Sequence, residues 1–599
     1  MAWSRITRTV GTMSTATAAV LLWAVGAAIA ADGARPPARS ARKAEPRLPE
    51  VIRTQEHEDV DGRTLKPEAS PKAPAPPALG AADLDALILK GLVAGKTPPS
   101  PRTTDEEFIR RAYLDVIGKL PAPGSIRQFV QSREKDKRAR LIDGLLDLPD
   151  YAENWARYWR DVIAYRSPNE ADRQVNYPSF EKWLAGQFAA NQPWDRIATR
   201  IITATGRNDE NGATAFALAE EGSPVEMAGE VSRVFLGIQI QCAQCHDHPS
   251  DPWKRQQFHE FAAFFSGLKS SRVAKMEAGK PPVFQVLTNG RTHYTMADLK
   301  DPEKKIPVAP RFFLGDGPRV SEQVGAAQRL DLAAGYVTGR DNPWFARAFI
   351  NRVWYGVMGE GFYNPVDDLG PTRTPHAPEV LDLLAEHWQR SGYDVKWLFR
   401  VILNTEAYQR QSRSTDTAAG RVPFAANCPS RLRSDQIFDA IVHALDLDRR
   451  SFPDRPGGAP GPAEKAKGKG ARAEKMADQL AGDPVPGRSA FNHAFGVDPS
   501  TPNDDVLGTI PQALALMNGP LVNRQIQARP GTMLGQLLLS TPDNRAVLDV
   551  LYLRVFARRP NAREVQACAH YLNHFSDRGE AFEDILWAMI NSTEFLSRR

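Results

Sequence analysis

The sequence predicts a mainly α protein, with two helical domains and a small β-hairpin element near the middle of the chain. Three observations predict it. Apolar residues recur every three to four positions along most of the chain, the repeat of one buried helix face. Ser, Thr, Asn or Asp stands before several of these runs, with Pro or Glu just after, which is the chemistry of a helix start. Only one window, around residues 283–295, alternates as strands do.

At 599 residues the chain is too long for one ordinary domain. Hydrophobic content of 42% and charged content of 25% are those of a water-soluble globular chain. A net charge of +5 is small for this length, and no nucleic-acid motif is present, so nucleic acid is not an expected partner.

Residues 1–30 read as a secretory signal peptide. Arg5 and Arg8 form the basic start, Ala18 to Ala30 the apolar run, and Ala28-Ile29-Ala30 the small-x-small cleavage site. The run is too short for a comfortable membrane span, and no transmembrane span is expected after cleavage. The expected location is therefore exported, in the periplasm or at the cell surface. Residues 31–80 are rich in Pro, Ala, Arg and Glu and too poor in apolar side chains to offset ordering entropy, which predicts a disordered spacer.

Folded sequence begins at Ala81, and the first domain is expected over 81–269. A helix is predicted around Asp83-Leu84-Asp85-Ala86-Leu87-Ile88. Thr104 with Glu107 reads as a capping box, and Phe108, Ala112 and Val116 follow at four-residue spacing, with Pro121 and Pro123 ending that helix. A basic helix is predicted from about Lys135, with Leu141, Ile142, Leu145 and Leu146 on its apolar side. Tyr151, Trp155, Tyr158, Trp159 and Tyr165 form an aromatic cluster that reads as core. Ser223, Pro224 and Glu226 start the next helix, Val225, Ala228, Val231, Val234 and Phe235 give its stripe, and Gly237 breaks it. Phe258, Phe261, Ala262 and Phe265 give one more apolar face.

Residues 270–328 read as a connector. Within it 283–288 and 291–295, joined by Asn289-Gly290, predict a hairpin with a type I′ turn. The second domain is expected over 329–599. Asn342-Pro343 starts a helix through Phe345, Phe349 and Val353 that Gly359 ends. Asp367-Asp368 reads as a solvated turn. Helices are predicted from Pro378 to Trp388 and, after Asp394, through Ile402. Residues 452–488 are low-complexity and read as a surface loop. Helical pattern resumes at 511–517 and closes the chain through 551–553 and 585–590.

The strongest chemical signal lies just beyond Gly237: Gln241-Cys242-Ala243-Gln244-Cys245-His246-Asp247-His248-Pro249. Two thiols three positions apart can add to the two vinyl groups of one haem, and the following histidine can sit under the iron as its proximal ligand. On a helical turn Cys242, Cys245 and His246 share a face. The pattern also admits half of a zinc site, completed by His246, His248 or His259, or a disulfide. The other two cysteines, Cys428 and Cys568, are solitary and far apart, so a zinc shell would need histidine or carboxylate. Covalent haem is attached outside the cytoplasm, and the signal peptide therefore favours haem.

Residues 235–249 resemble the planctomycete-type cytochrome family, exported proteins that pair domain of unknown function 1549 with domain of unknown function 1553. The first domain is matched again by Phe108-Ile109-Arg110-Arg111-Ala112-Tyr113-Leu114-Asp115, by Lys137-Arg138 and by Tyr151 to Trp159. The second is matched by Asn342-Pro343-Trp344-Phe345-Ala346-Arg347, Asn351-Arg352-Val353-Trp354 and Pro365-Val366-Asp367-Asp368. Ser391-Gly392-Tyr393, Ala407-Tyr408-Gln409, Pro511-Gln512-Ala513-Leu514 and the stretch from Trp587 to Phe595 continue the match in the family's order. The resemblance implies one covalent haem c, with Cys242 and Cys245 as its thioether positions and His246 as proximal ligand. It assigns no enzymatic activity. Relatives place His directly before the Pro-Glu pair that opens a helix, whereas here His376 stands one position earlier and Ala377 precedes Pro378-Glu379.

Three functions follow as expectations. The first is a single-haem c-type cytochrome-like protein in electron transfer or a haem-dependent redox role, with a redox partner or a cell-surface protein as its partner. Its distal ligand is not identified; Met227, Met276, Met296, His259 and His293 lie in the same part of the chain. The second is a cell-exterior binding or scaffold protein whose cysteine motif is a zinc or disulfide site. The third is a hydrolase using second-domain residues such as Asp367, Asp368 and Arg352; no nucleophile elbow, metalloprotease helix or phosphate loop supports it.

Overall fold

The computed structural model describes residues 79–164, 174–273, 282–290, 292–315, 317–321, 323–413, 422–448, 488–503 and 508–599. The expected signal peptide, the spacer up to residue 78, Tyr165, Met276, Arg291 and the low-complexity loop up to residue 487 lie outside them. The rest is mainly α with sheets of two or three strands. Among the described residues no helix is long and apolar enough to cross a membrane.

The helix Asp105–Ile117 forms as its sequence dictates. The Thr104 hydroxyl accepts the Glu107 backbone N–H at 3.3 Å, and Gly118 turns left-handed (φ 69°) to end it. Phe108, Ala112 and Val116 are fully buried. Gly118, rather than the prolines, stops the helix; Pro123 instead opens the next one, Pro123–Gln131, where its fixed φ suits a first helical turn. Asn342 caps Pro343–Met358 through the Trp344 N–H at 3.2 Å, and Asp394 caps Val395–Leu403 through the Trp397 N–H at 2.8 Å.

The aromatic residues of Pro149–Ala164 are core, and they meet residues far along the chain. Trp159 stacks on Phe349 with ring centroids 5.6 Å apart, and Trp155 meets Phe399 edge-on at 4.6 Å. Each such ring contributes about 2–3 kcal/mol by leaving water. Arg111, also buried, donates to the carbonyls of Tyr408 (2.7 Å) and Arg410 (2.8 Å). The N-terminal and C-terminal helices thus share one apolar core, and a second one gathers residues 432–595 with Leu114 and Leu120.

The β element differs from the predicted hairpin in its pairing. Strands β1 (Gly206–Arg207), β2 (Leu268–Arg272) and β3 (Phe284–Thr288) form an antiparallel sheet in the order β1-β3-β2. Strand β4 (Tyr294–Ala297) pairs instead with β5 (Lys305–Val308). The reason is that both edges of β3 are taken, by β1 and β2, so β4 has no free edge to join. At the Asn289-Gly290 corner the Asn289 N–H bonds the Gly267 carbonyl at 2.8 Å, and the chain leaves the sheet.

Candidate functional site

The cysteine turn is held between a helix before it and a loop from far down the chain. The helix Pro224–Val231 starts at Ser223, whose side chain makes no capping bond; Glu226 instead accepts from Gln241 Nε2 at 3.2 Å. After one π turn, Ser232–Leu236, Gly237 adopts φ +66° and reverses the chain. A Cβ at Gly237 would stand 2.7 Å from Leu369, and its carbonyl accepts the Leu369 N–H at 2.7 Å. Both the conformation and the close approach require glycine here. A Cβ at Gly229 would fall on the Gln241 side chain, so that helix also lies flush against the turn.

Gln241–Gln244 is a 3₁₀ turn with Cys245 as its C-cap, tighter than the helical turn read from the spacing. With three residues per turn, positions i and i+3 eclipse, so Cys242 and Cys245 stack on one side. Ala243 is the buried anchor, while both thiols are free and exposed. His246 is exposed as well, and its Nδ1 lies 2.7 Å from the Asp247 carbonyl. A carbonyl only accepts, so Nδ1 is the donor here, and in the neutral ring Nε2 is the nitrogen left for a metal.

The surrounding histidines hold the turn. His259 donates from Nε2 to the Gln244 carbonyl (3.0 Å) and accepts the Tyr294 hydroxyl at Nδ1 (2.8 Å). Burial pushes its pKa below the usual histidine value, which keeps the ring in this neutral form. His248 Nδ1 accepts the backbone N–H of Asp251 at 3.0 Å and of Ser250 at 3.3 Å. Asp251 in turn accepts the Thr372 hydroxyl, and both terminal nitrogens of Arg373 donate to it at 3.4 Å.

Asp367 corrects the reading of Asp367-Asp368 as a solvated turn. Its side chain is 0% exposed, paired with Arg233 (3.1 Å) and Arg352 (3.5 Å), and bonded by Gln239 Nε2 (3.1 Å). Gln239 and Arg233 flank Gly237, so this carboxylate fixes the approach to the cysteine turn. Asp368 faces Arg373 at 3.0 Å. All three residues named for hydrolysis are engaged in these contacts.

Of the distal-ligand candidates, Met227 is buried in the core and Met296 Sδ accepts from Arg255 at 3.5 Å. His259 is bonded at both nitrogens, His293 is exposed, and Met276 lies outside the described residues. The donor chemistry at Cys242, Cys245 and His246 fits a covalently attached haem: two exposed thiols on one side of a turn, beside an imidazole whose free nitrogen is set by a backbone carbonyl. Zinc fits less well, because His259 is bonded at both ring nitrogens, to Gln244 and Tyr294, and His248 Nδ1 accepts the N–H groups of Ser250 and Asp251. Among the described residues no group of three or more His, Cys, Asp or Glu stands ready to hold a metal ion.

One titratable group near this framework carried no signal in the apolar stripe before the cysteines. Glu220 is 2% exposed, its Oε1 has no hydrogen-bond partner, and its pKa is raised to about 9 by burial and then by Glu230 and Glu226. A raised carboxyl pKa contributes stability below the unfolded value, and that contribution is lost as pH rises toward the folded one. Glu220→Gln is therefore expected to stabilise the protein by about 2 kcal/mol at about pH 8 and by little at about pH 4.5. Urea denaturation at the two pH values checks it; an equal change at both would contradict the assignment.

Residues 83–270 match the family PSCyt2, a protein of unknown function (DUF1549), and residues 328–572 match the family PSD1, a protein of unknown function (DUF1553). The two follow in the order that the sequence motifs predict. No curated protein and no solved structure matches the chain.

Proposed function

We propose that this chain, a DUF1549 domain followed by a DUF1553 domain, is an exported single-haem c-type cytochrome-like protein with a redox role, most simply electron transfer. Cys242 and Cys245 would hold the haem through thioether bonds, and His246 would offer Nε2 to its iron. The observation that carries this reading is the turn itself: both thiols free and exposed, and the His246 proton parked on Nδ1 by the Asp247 carbonyl. Haem held there supplies a one-electron iron couple.

The chain's own residues orient and stiffen the site. Hydrogen bonding of Nδ1 to the Asp247 carbonyl orients the His246 ring. The His259–Gln244 bond, the Asp251–Arg373 contact and the buried Asp367 hold the turn from three sides. The partner is a redox protein or a protein at the cell surface.

A pyridine haemochrome spectrum tests the reading. The chain is made in an exporting host that has the cytochrome c maturation machinery. The expected result is the spectrum of a haem with two thioether bonds, one per chain. A folded, exported chain without it, beside a control cytochrome that matures, would contradict the proposal and favour a scaffold protein with a zinc or disulfide site.

A further inference from the structure

A groove of about 680 Å³ lies well outside the cysteine site, between the helices Asn544–Phe556, Ala562–Leu572 and Arg578–Ile590. Its size is that of a small-molecule site. Four aromatic side chains line it: Tyr552, Phe556, Tyr571 and Trp587. Three carboxylates line it too: Glu564, Asp584 and Glu594. No Lys or Arg is among the lining residues.

At one end the protein already shows what these walls accept. The Arg558 guanidinium sits 5.4 Å from the ring centroids of both Tyr552 and Phe556. It forks onto Glu564 (2.7 and 2.8 Å) and Glu594 (2.7 and 2.8 Å). Arg558 thus offsets Glu564 and Glu594, and Arg110 and Arg599 add positive charge near Glu594. The remaining negative charge among the lining residues is that of Asp584, which accepts the Tyr571 hydroxyl at 2.7 Å. The remaining aromatic walls are Tyr571 and Trp587, the latter fixed by its Nε1 donating to the Met517 carbonyl at 3.2 Å.

We propose that the unfilled part of this groove binds a small quaternary ammonium ligand. Aromatic faces attract cations through the ring quadrupole, and a quaternary ammonium needs no hydrogen-bond acceptor. That suits a wall in which Arg558 already holds both oxygens of Glu564 and of Glu594. A primary ammonium or a second guanidinium would instead have to compete with Arg558 for Glu564 and Glu594. The helix Ala562–Leu572, which carries Tyr571, has no fully buried residue and packs on the second core through Cys568 and Leu572 while forming one side of the groove.

The test is titration of the full chain with choline, followed by saturation-transfer NMR and calorimetry, beside its uncharged isostere 3,3-dimethylbutan-1-ol. Choline is expected to saturate at about 1 mM or below, and to bind about tenfold tighter than the isostere. Tyr571→Ala is expected to weaken choline about fivefold, and Asp584→Asn about threefold. Tyr571 is 37% exposed and stacks on the equally exposed Phe575, so its removal leaves the fold intact, as circular dichroism will show. Equal binding of choline and the isostere, no saturation up to about 20 mM, or an unchanged affinity in Tyr571→Ala would each overturn the proposal.

Discussion

Asp367→Ala is expected to destabilise the protein by about 3–5 kcal/mol, because it leaves two guanidiniums buried without their shared counter-charge. Arg233 retains Glu230, at 2.5 Å, and the loss therefore falls mostly on Arg352 and on Gln239, whose amide would lose its acceptor. Arg352 also sits 5.9 Å over the Trp159 ring, so its displacement reaches the aromatic core. The neighbouring Asp368→Ala is the control. Its partner Arg373 is partly exposed, and such a pair contributes about 1 kcal/mol or less. Denaturant midpoints of the two variants separate the two cases. Similar losses in both would show that Asp367 carries no special burden. Hydrogen exchange gives a second readout, with protection falling at residues 238–246 in Asp367→Ala alone.

That contrast also shows what a sequence can and cannot disclose. Helix starts at Thr104, Asn342 and Asp394 were legible because a cap and its N–H lie within three residues of each other. The turn at the cysteine motif was legible for the same reason, its spacing being contained in five consecutive residues, although the turn is 3₁₀ and not α-helical. The burial of Asp367 was not, because Arg233 stands 134 positions away and only the fold brings the two together. The β pairing failed similarly. Asn289-Gly290 is a strong local turn signal, yet β3 is claimed on both sides by strands earlier in the chain. The clamp of Tyr294, His259 and Gln244 joins three segments and left no pattern in any one of them. An Arg at 233 inside an apolar helical stripe was the one available hint that a buried carboxylate waited elsewhere.

The second large effect is expected at the cysteines. Cys242→Ala/Cys245→Ala is expected to abolish covalent haem completely while leaving thermal stability of the haem-free chain within about 0.5 kcal/mol, because both side chains are exposed and make no packing contact that the core depends on. His246→Ala separates attachment from ligation. It removes the proposed ligand nitrogen but leaves both thiols, so any haem that is joined should show a changed iron ligand field in its visible spectrum.

The most direct measurement is the intact mass of the chain, purified from an exporting host with the cytochrome c maturation machinery and denatured before analysis. The parent is predicted to carry the added mass of a single haem, and the Cys242→Ala/Cys245→Ala variant none. A parent chain at its bare polypeptide mass, from a preparation in which a control cytochrome is fully haem-loaded, would contradict covalent haem at this turn.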